Sequence, residues 1–237
     1  MKTGFTLAET LITLGIIGVV AAMTIPTLIS KNQKSIIEAN LKETYSILQQ
    51  TMRLAENDDI GFDPVVPEAV PNLEKWFKTY FAPYMKYTQI CYDTQGCWHT
   101  KGPTKNLNGA TAFANRTNIG LGSSIITVRL NNGATLNLDS YSKSDAKTYH
   151  GIDSNGQILI IYIDANGDKG PNVIGKDIYS VGFTAKGLIP AGSNETNETV
   201  NKNCSKNATA RNAGHFCLMR VKNNGWEIPN DVWNKKI

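Results

Sequence analysis

Residues Thr10 to Ser30 carry no charge, and a helix of these 21 residues, rising ~1.5 Å per residue, spans roughly the 30 Å of a bilayer core. No other feature restricts the chain as strongly: the segment reads as a membrane helix. Glu9 stands at its edge. A carboxylate there costs on the order of 3 kcal/mol on insertion scales, so it calls for a partner. An amine would serve, and one arises one helical turn away if the chain is cut after Gly4 and Phe5 becomes the N-terminus.

Gly4, Phe5, Thr6, Leu7 and Glu9, followed by the apolar run and Pro26, resemble the N-terminus of the type IV prepilin and type II secretion pseudopilin family. The resemblance covers about thirty residues. It implies that a prepilin peptidase, which is also an N-methyltransferase, removes residues 1–4 and methylates Phe5, and that Glu9 guides assembly. It further implies a single-pass precursor in the bacterial inner membrane with its head in the periplasm. Its partners would be an assembly platform and other subunits of the same kind. Two plainer readings compete. One is a secretory signal peptide with a basic Lys2 and a cut after Ala22, although an acid just before the apolar core is a poor feature for one. The other is a signal anchor, which explains the span but not Gly4, Phe5 and Glu9 together.

The apolar helix is expected to continue. From Ser30 to Glu56 there is no glycine or proline, and Ile37, Leu41, Tyr45, Leu48, Met52 and Ala55 recur at helical spacing. Ile36, Ile47 and Leu54 form a second line, with Asn40, Thr44 and Thr51 between the two. The first line would pack on the protein's own sheet, and the second would face neighbouring helices in a filament; a single broad buried face is the alternative. Within the anchor, Gly15, Gly18 and Ala22 share a face that permits close helix approach. Pro26 should kink or loosen the helix.

Residues 58–71, rich in proline and acid, read as a connector. Asn72 to Tyr84 contains a short helical pattern with Leu73, Trp76, Phe77 and Tyr80 on one side. Strand signals begin at Ser124. SIITVRL, a turn at Asn131 to Gly133 and ATLNLD form a hairpin, followed by strands from Gln157 to Asp164 and from Asp177. Four antiparallel strands between about 124 and 186 laid on the long helix give an α+β head, which is also what the family resemblance implies. The expected divisions are a leader (1–4), an anchor and spine helix (5–56) and a head (57–237). Residues 189–237, poor in apolar side chains, form a loop-rich cover.

Four cysteines fall into local pairs, Cys91 with Cys97 and Cys204 with Cys217. Export favours two disulfides, although four cysteines allow three pairings, and neither pair has zinc spacing. In the segment IDANGDKGPNVIGKD, Asp164, Asn166 and Asp168 alternate, and Asp177 follows on the next strand. Such oxygens can converge on calcium, and similar loops bind calcium in some pseudopilins. The competing reading is a set of turns in which Asp164 and Asp168 bond local amides. It is not an EF-hand, because Lys169 and Gly175 occupy positions that need glycine and glutamate.

His99, His150 and His215 are scattered, and no nucleophile or phosphate-loop motif is present, so no enzymatic activity is expected. A formal charge of +4 is too small to argue for nucleic acid. A variant reading, a minor tip subunit gripping DNA or a surface, rests on Lys202, Lys206, Arg211, Arg220, Lys222, Lys235 and Lys236. Asn115, Asn194, Asn197, Asn203 and Asn207 head Asn-x-Ser/Thr triplets, for which glycosylation is not expected. The function expected is structural: a pilus or pilus-like filament subunit, with a type II secretion pseudopilin as the alternative.

Overall fold

The structure, a computed structural model, describes residues 6–58, 70–92, 94, 97–98, 102–112, 125–184 and 187–237. The expected processing residues Gly4 and Phe5 lie outside them, as does His99. By contacts the chain divides into Met1–Ile36 and Ile37–Ile237.

Helix α1 runs from Leu7 to Asn57 without interruption at Pro26. Its start follows from a capping box, S/T-x-x-E. Thr6 Oγ1 accepts from Glu9 N at 3.3 Å, and Glu9 Oε2 accepts from Thr6 N and Thr6 Oγ1, both at 2.8 Å. In the first unit every large apolar side chain from Leu7 to Ile29 is between 52% and 80% exposed. The helix is long and apolar enough to cross a membrane.

The second unit begins inside α1, so the helix's latter half belongs to the head. Ile37, Leu41, Tyr45, Leu48, Met52 and Ala55 are all buried. The polar residues beside them are also used: Asn40 Nδ2 donates to Ala165 O at 3.1 Å, and Thr44 Oγ1 accepts from Asn132 Nδ2 at 3.1 Å. Ile36 and Leu54 remain about half exposed and Ile47 is half-buried.

The sheet has six strands, not four: β1 (Tyr87–Tyr92), β2 (Ile125–Leu130), β3 (Thr135–Tyr141), β4 (Ile158–Asp164), β5 (Ile178–Thr184) and β6 (Gly187–Pro190). They lie in chain order and every neighbouring pair is antiparallel. All of β4 is buried, which explains why it reads as an unbroken apolar run instead of an alternation. Leu159, Ile161 and Ile163 face the core shared with α1, while Ile158, Ile160 and Tyr162 join a second core on the other side.

Helix α2 (Val70–Tyr80) and a short turn at Ala82–Tyr84 cover part of the first core. There Trp76 and Phe81 meet Phe183 at 5.8 and 5.3 Å between ring centres, edge-on as ring quadrupoles favour. Helix α3 (Lys143–His150) lies between β3 and β4. Ser142 caps its N-terminus and Gly151, at φ 57°, ends it.

The cover at the C-terminus contains short helices α4 (Asn197–Asn203), α5 (Cys217–Asn223) and α6 (Asn230–Trp233). Buried Asn203 organises it. Its Nδ2 donates to Asn212 O at 2.9 Å, and its Oδ1 accepts from Gly214 N and Phe216 N, each at 3.1 Å. An amide so placed is no glycan acceptor. Disulfides join Cys91 to Cys97 and Cys204 to Cys217, with Cα separations of 6.2 and 4.9 Å.

Candidate functional site

Three places gather the residues that sequence patterns single out. The first is the start of α1. The partner of Glu9 among the described residues is Thr6, through the capping box. The amine expected opposite Glu9 falls at Phe5, outside the described residues. The T-L-A-E spacing was the available signal for this cap.

The second is the loop from Asp164 to Asp177, which joins the end of β4 to the start of β5. Asp164 is fully buried, and its Oδ1 accepts from Asn166 N at 3.2 Å and Gly167 N at 2.9 Å. Asp177 is equally buried. Its two oxygens accept from Asn172 N at 2.8 Å and Val173 N at 2.7 Å. Burial drives both carboxyls upward, Asp164 well above its usual range, with the nearby Asp177 charge adding to the effect. Asp177 rises to about 6, held back by its amide donors. Asp168 turns away to Arg129, which grips it with two bonds of 2.8 and 3.2 Å and also donates to Cys97 O at 3.2 Å.

Calcium takes roughly six to eight oxygens. Asp168 and Asp177 have both oxygens engaged, and Asn166 gives its Nδ2 to Gly170 O at 2.8 Å. That leaves Asp164 Oδ2, Asn166 Oδ1 and Asn172 Oδ1 as buried loop oxygens with no hydrogen-bond donor. Three such oxygens fall short of the roughly six to eight that calcium takes, and among the described residues no three His, Cys, Asp or Glu side chains converge. As arranged, the loop is a connection braced by amides and one guanidinium.

The third place had no local signal. His150 and His215, far apart in sequence, pack behind the sheet with ring centres 5.3 Å apart. His150 also meets Tyr141 at 4.8 Å and Tyr162 at 5.6 Å, and its Nε2 lies 3.4 Å from Tyr162 Oη. His215 Nε2 lies 3.3 Å from Asn106 Oδ1. Burial holds both imidazoles neutral, His150 well below the usual range and His215 down to about 4. The topology of β3, α3 and the C-terminal cover brings the two rings together.

Several basic residues of the C-terminal region have partners within the chain. Arg220 forks onto Asp231 at 3.2 and 3.1 Å and also donates to Cys204 O. Lys222 donates to Tyr45 Oη at 3.1 Å and lies over the Tyr45 ring. Arg211 lies over Tyr149 at 5.5 Å. No family model, curated protein or solved structure matches this chain.

Proposed function

We propose that the protein is a structural subunit that polymerises through its N-terminal helix into a type IV pilus or pilus-like filament. On this reading it is a single-pass inner-membrane precursor with its head in the periplasm, cut after Gly4 and methylated at Phe5 by a prepilin peptidase. The observation that supports it best is helix α1. One continuous helix exposes every large apolar side chain from Leu7 to Ile29 and supplies the buried spine of an α+β head from Ile37 onward. An apolar surface of that extent needs lipid or other copies of itself around it. Lipid would cover it in the precursor, and neighbouring helices would cover it in the filament.

Ile36, Ile47 and Leu54, not taken up fully by the head, extend the apolar surface for contact with those neighbours. The engaged Arg211, Arg220 and Lys222 weaken the alternative of a DNA-gripping tip subunit. Coexpression with a prepilin peptidase and mass analysis of the N-terminus tests the reading. The expected product begins at Phe5 and carries one added methyl group. A product that begins after Ala22 would instead establish a secretory signal and overturn the proposal.

A further inference from the structure

Asparagine followed by glycine is the sequence most open to spontaneous loss of the side-chain amide, because glycine leaves its backbone nitrogen unhindered for attack on the asparagine side chain. The chain holds five such pairs, at Asn108, Asn132, Asn155, Asn166 and Asn224. Their local chemistry is the same, so hydrogen bonding decides among them.

At four pairs both reacting groups are tied. Asn108 Nδ2 donates to Ala210 O at 3.0 Å and Gly109 N to Asn106 O at 2.9 Å. Asn132 Nδ2 donates to Thr44 Oγ1 at 3.1 Å and Gly133 N to Leu130 O at 3.1 Å. Asn166 Nδ2 donates to Gly170 O at 2.8 Å and Gly167 N to Asp164 Oδ1 at 2.9 Å. Asn224 Nδ2 donates to Glu227 O at 3.0 Å and Gly225 N to Lys222 O at 3.2 Å. Asn155 differs. It and Gly156 are exposed in the loop between α3 and β4, and neither the Asn155 side chain nor the Gly156 amide has a hydrogen-bond partner. A side chain added at Gly156 would meet nothing within 4 Å.

We propose that Asn155 is a site of spontaneous deamidation, the one such pair of the five poised for it in the folded protein. Gly156 N forms a bond to Asn155 Cγ, its proton goes to solvent, and the side-chain nitrogen departs as ammonia. Water then opens the resulting five-membered imide at either carbonyl, leaving aspartate or isoaspartate at position 155. The overall change is amide plus water to carboxylate plus ammonium, with no oxidant or reductant. Asn155 lines a surface cavity of about 930 Å³ with Lys143, Lys147 and Asp153. Two lysines against one aspartate give that lining a formal charge of +1, and the new carboxylate cancels it. Within that lining Lys147 already pairs with Asp153 at 3.0 Å.

The test is peptide mapping by mass spectrometry of the full chain in detergent micelles, aged at mildly alkaline pH. Aged samples in concentrated urea and an Asn155→Gln variant run alongside. In the folded protein, position 155 should convert about tenfold or more faster than each of the other four, since each of those must first break two hydrogen bonds. In urea the five rates should come together, and the variant should lose only the signal at 155. Equal rates in the folded protein, another asparagine converting first, or an intact Asn155 where the urea sample converts would each overturn the assignment.

Discussion

Acidification should separate two opposed sets of buried groups, and His215 is where to cut between them. Burial lowers the folded-state pKa of His215 from 6.5 to about 4. A depressed histidine pKa means that the unfolded chain binds the proton better. Its contribution to stability is therefore complete above the unfolded value and is lost as pH falls from 6.5 towards 4. Between about pH 7 and about pH 4.5 this loss comes to about 2 kcal/mol. His150, shifted in the same direction, adds to it.

Asp177 opposes this. Its pKa rises from 3.8 to about 6, so the folded state binds the proton better, and the associated stability is present at low pH and lost as pH rises through about 6. Over the same descent to about pH 4.5 the fold gains about 2 kcal/mol from it, with Asp164 shifted the same way. The two contributions nearly cancel, so the wild-type protein should lose little stability from them. His215→Gln removes one side and keeps an amide donor near Asn106. Denaturant unfolding of the full chain in detergent, followed by tryptophan fluorescence, measures both proteins. The variant should gain about 2 kcal/mol relative to wild type on acidification. Parallel pH profiles would refute the claim that burial suppresses protonation at His215.

Gly214 sits at φ 95° with Ile174 O only 2.2 Å from where a side chain would begin. Gly214→Ala should therefore destabilise the head by more than about 3 kcal/mol, through strain and a backbone clash together; an unchanged melting temperature would contradict this. Arg129 holds both oxygens of Asp168 and two amides hold those of Asp177, so melting in calcium and in chelator should coincide, whereas a calcium-dependent rise would show that Arg129 yields Asp168 to the ion.

Legibility followed periodicity. The six buried apolar residues from Ile37 to Ala55 could be read because a helix returns one face every three or four residues. Four strands could be read because branched and aromatic residues cluster in β2 to β5. Strand β1 leaves little trace in the sequence, for its exposed half, Tyr87 to Gln89, resembles any polar stretch. Strand β6 is four residues long and ends in Pro190, and short proline-bearing edges leave a weak signal. Helix α3 buries only Ala146 and His150, too few for an apolar stripe, although its caps at Ser142 and Gly151 could have marked it. The alternation of Asp164, Asn166 and Asp168 suggested convergence, but Arg129, on a strand far away in sequence, decides where Asp168 points. His150 and His215 meet for the same reason: long-range topology, which no local spacing carries.

The capping box changes what Glu9 must be asked to do. Thr6 offers it two donors at 2.8 Å, one an amide and one a hydroxyl. Such a cap is worth ~1 kcal/mol. Taking an uncompensated carboxylate into an apolar filament core costs several kcal/mol, on the order of 3–5 when a buried partner is missing. Neutral donors soften that penalty without cancelling the charge, so the cap cannot be the whole of its role if the N-terminal helices bundle. The proposed amine on Phe5 would supply the missing positive charge, and its attraction grows as the dielectric falls. Thr6→Ala and Glu9→Ala distinguish the two roles, because each removes one side-chain half of the cap but only the second removes the charge. Filament yield, measured by shearing and electron microscopy, should fall modestly in the first and collapse in the second, with membrane insertion and cleavage intact in both. Equal losses would reduce Glu9 to a helix cap, and normal filaments from Glu9→Ala would refute the pairing.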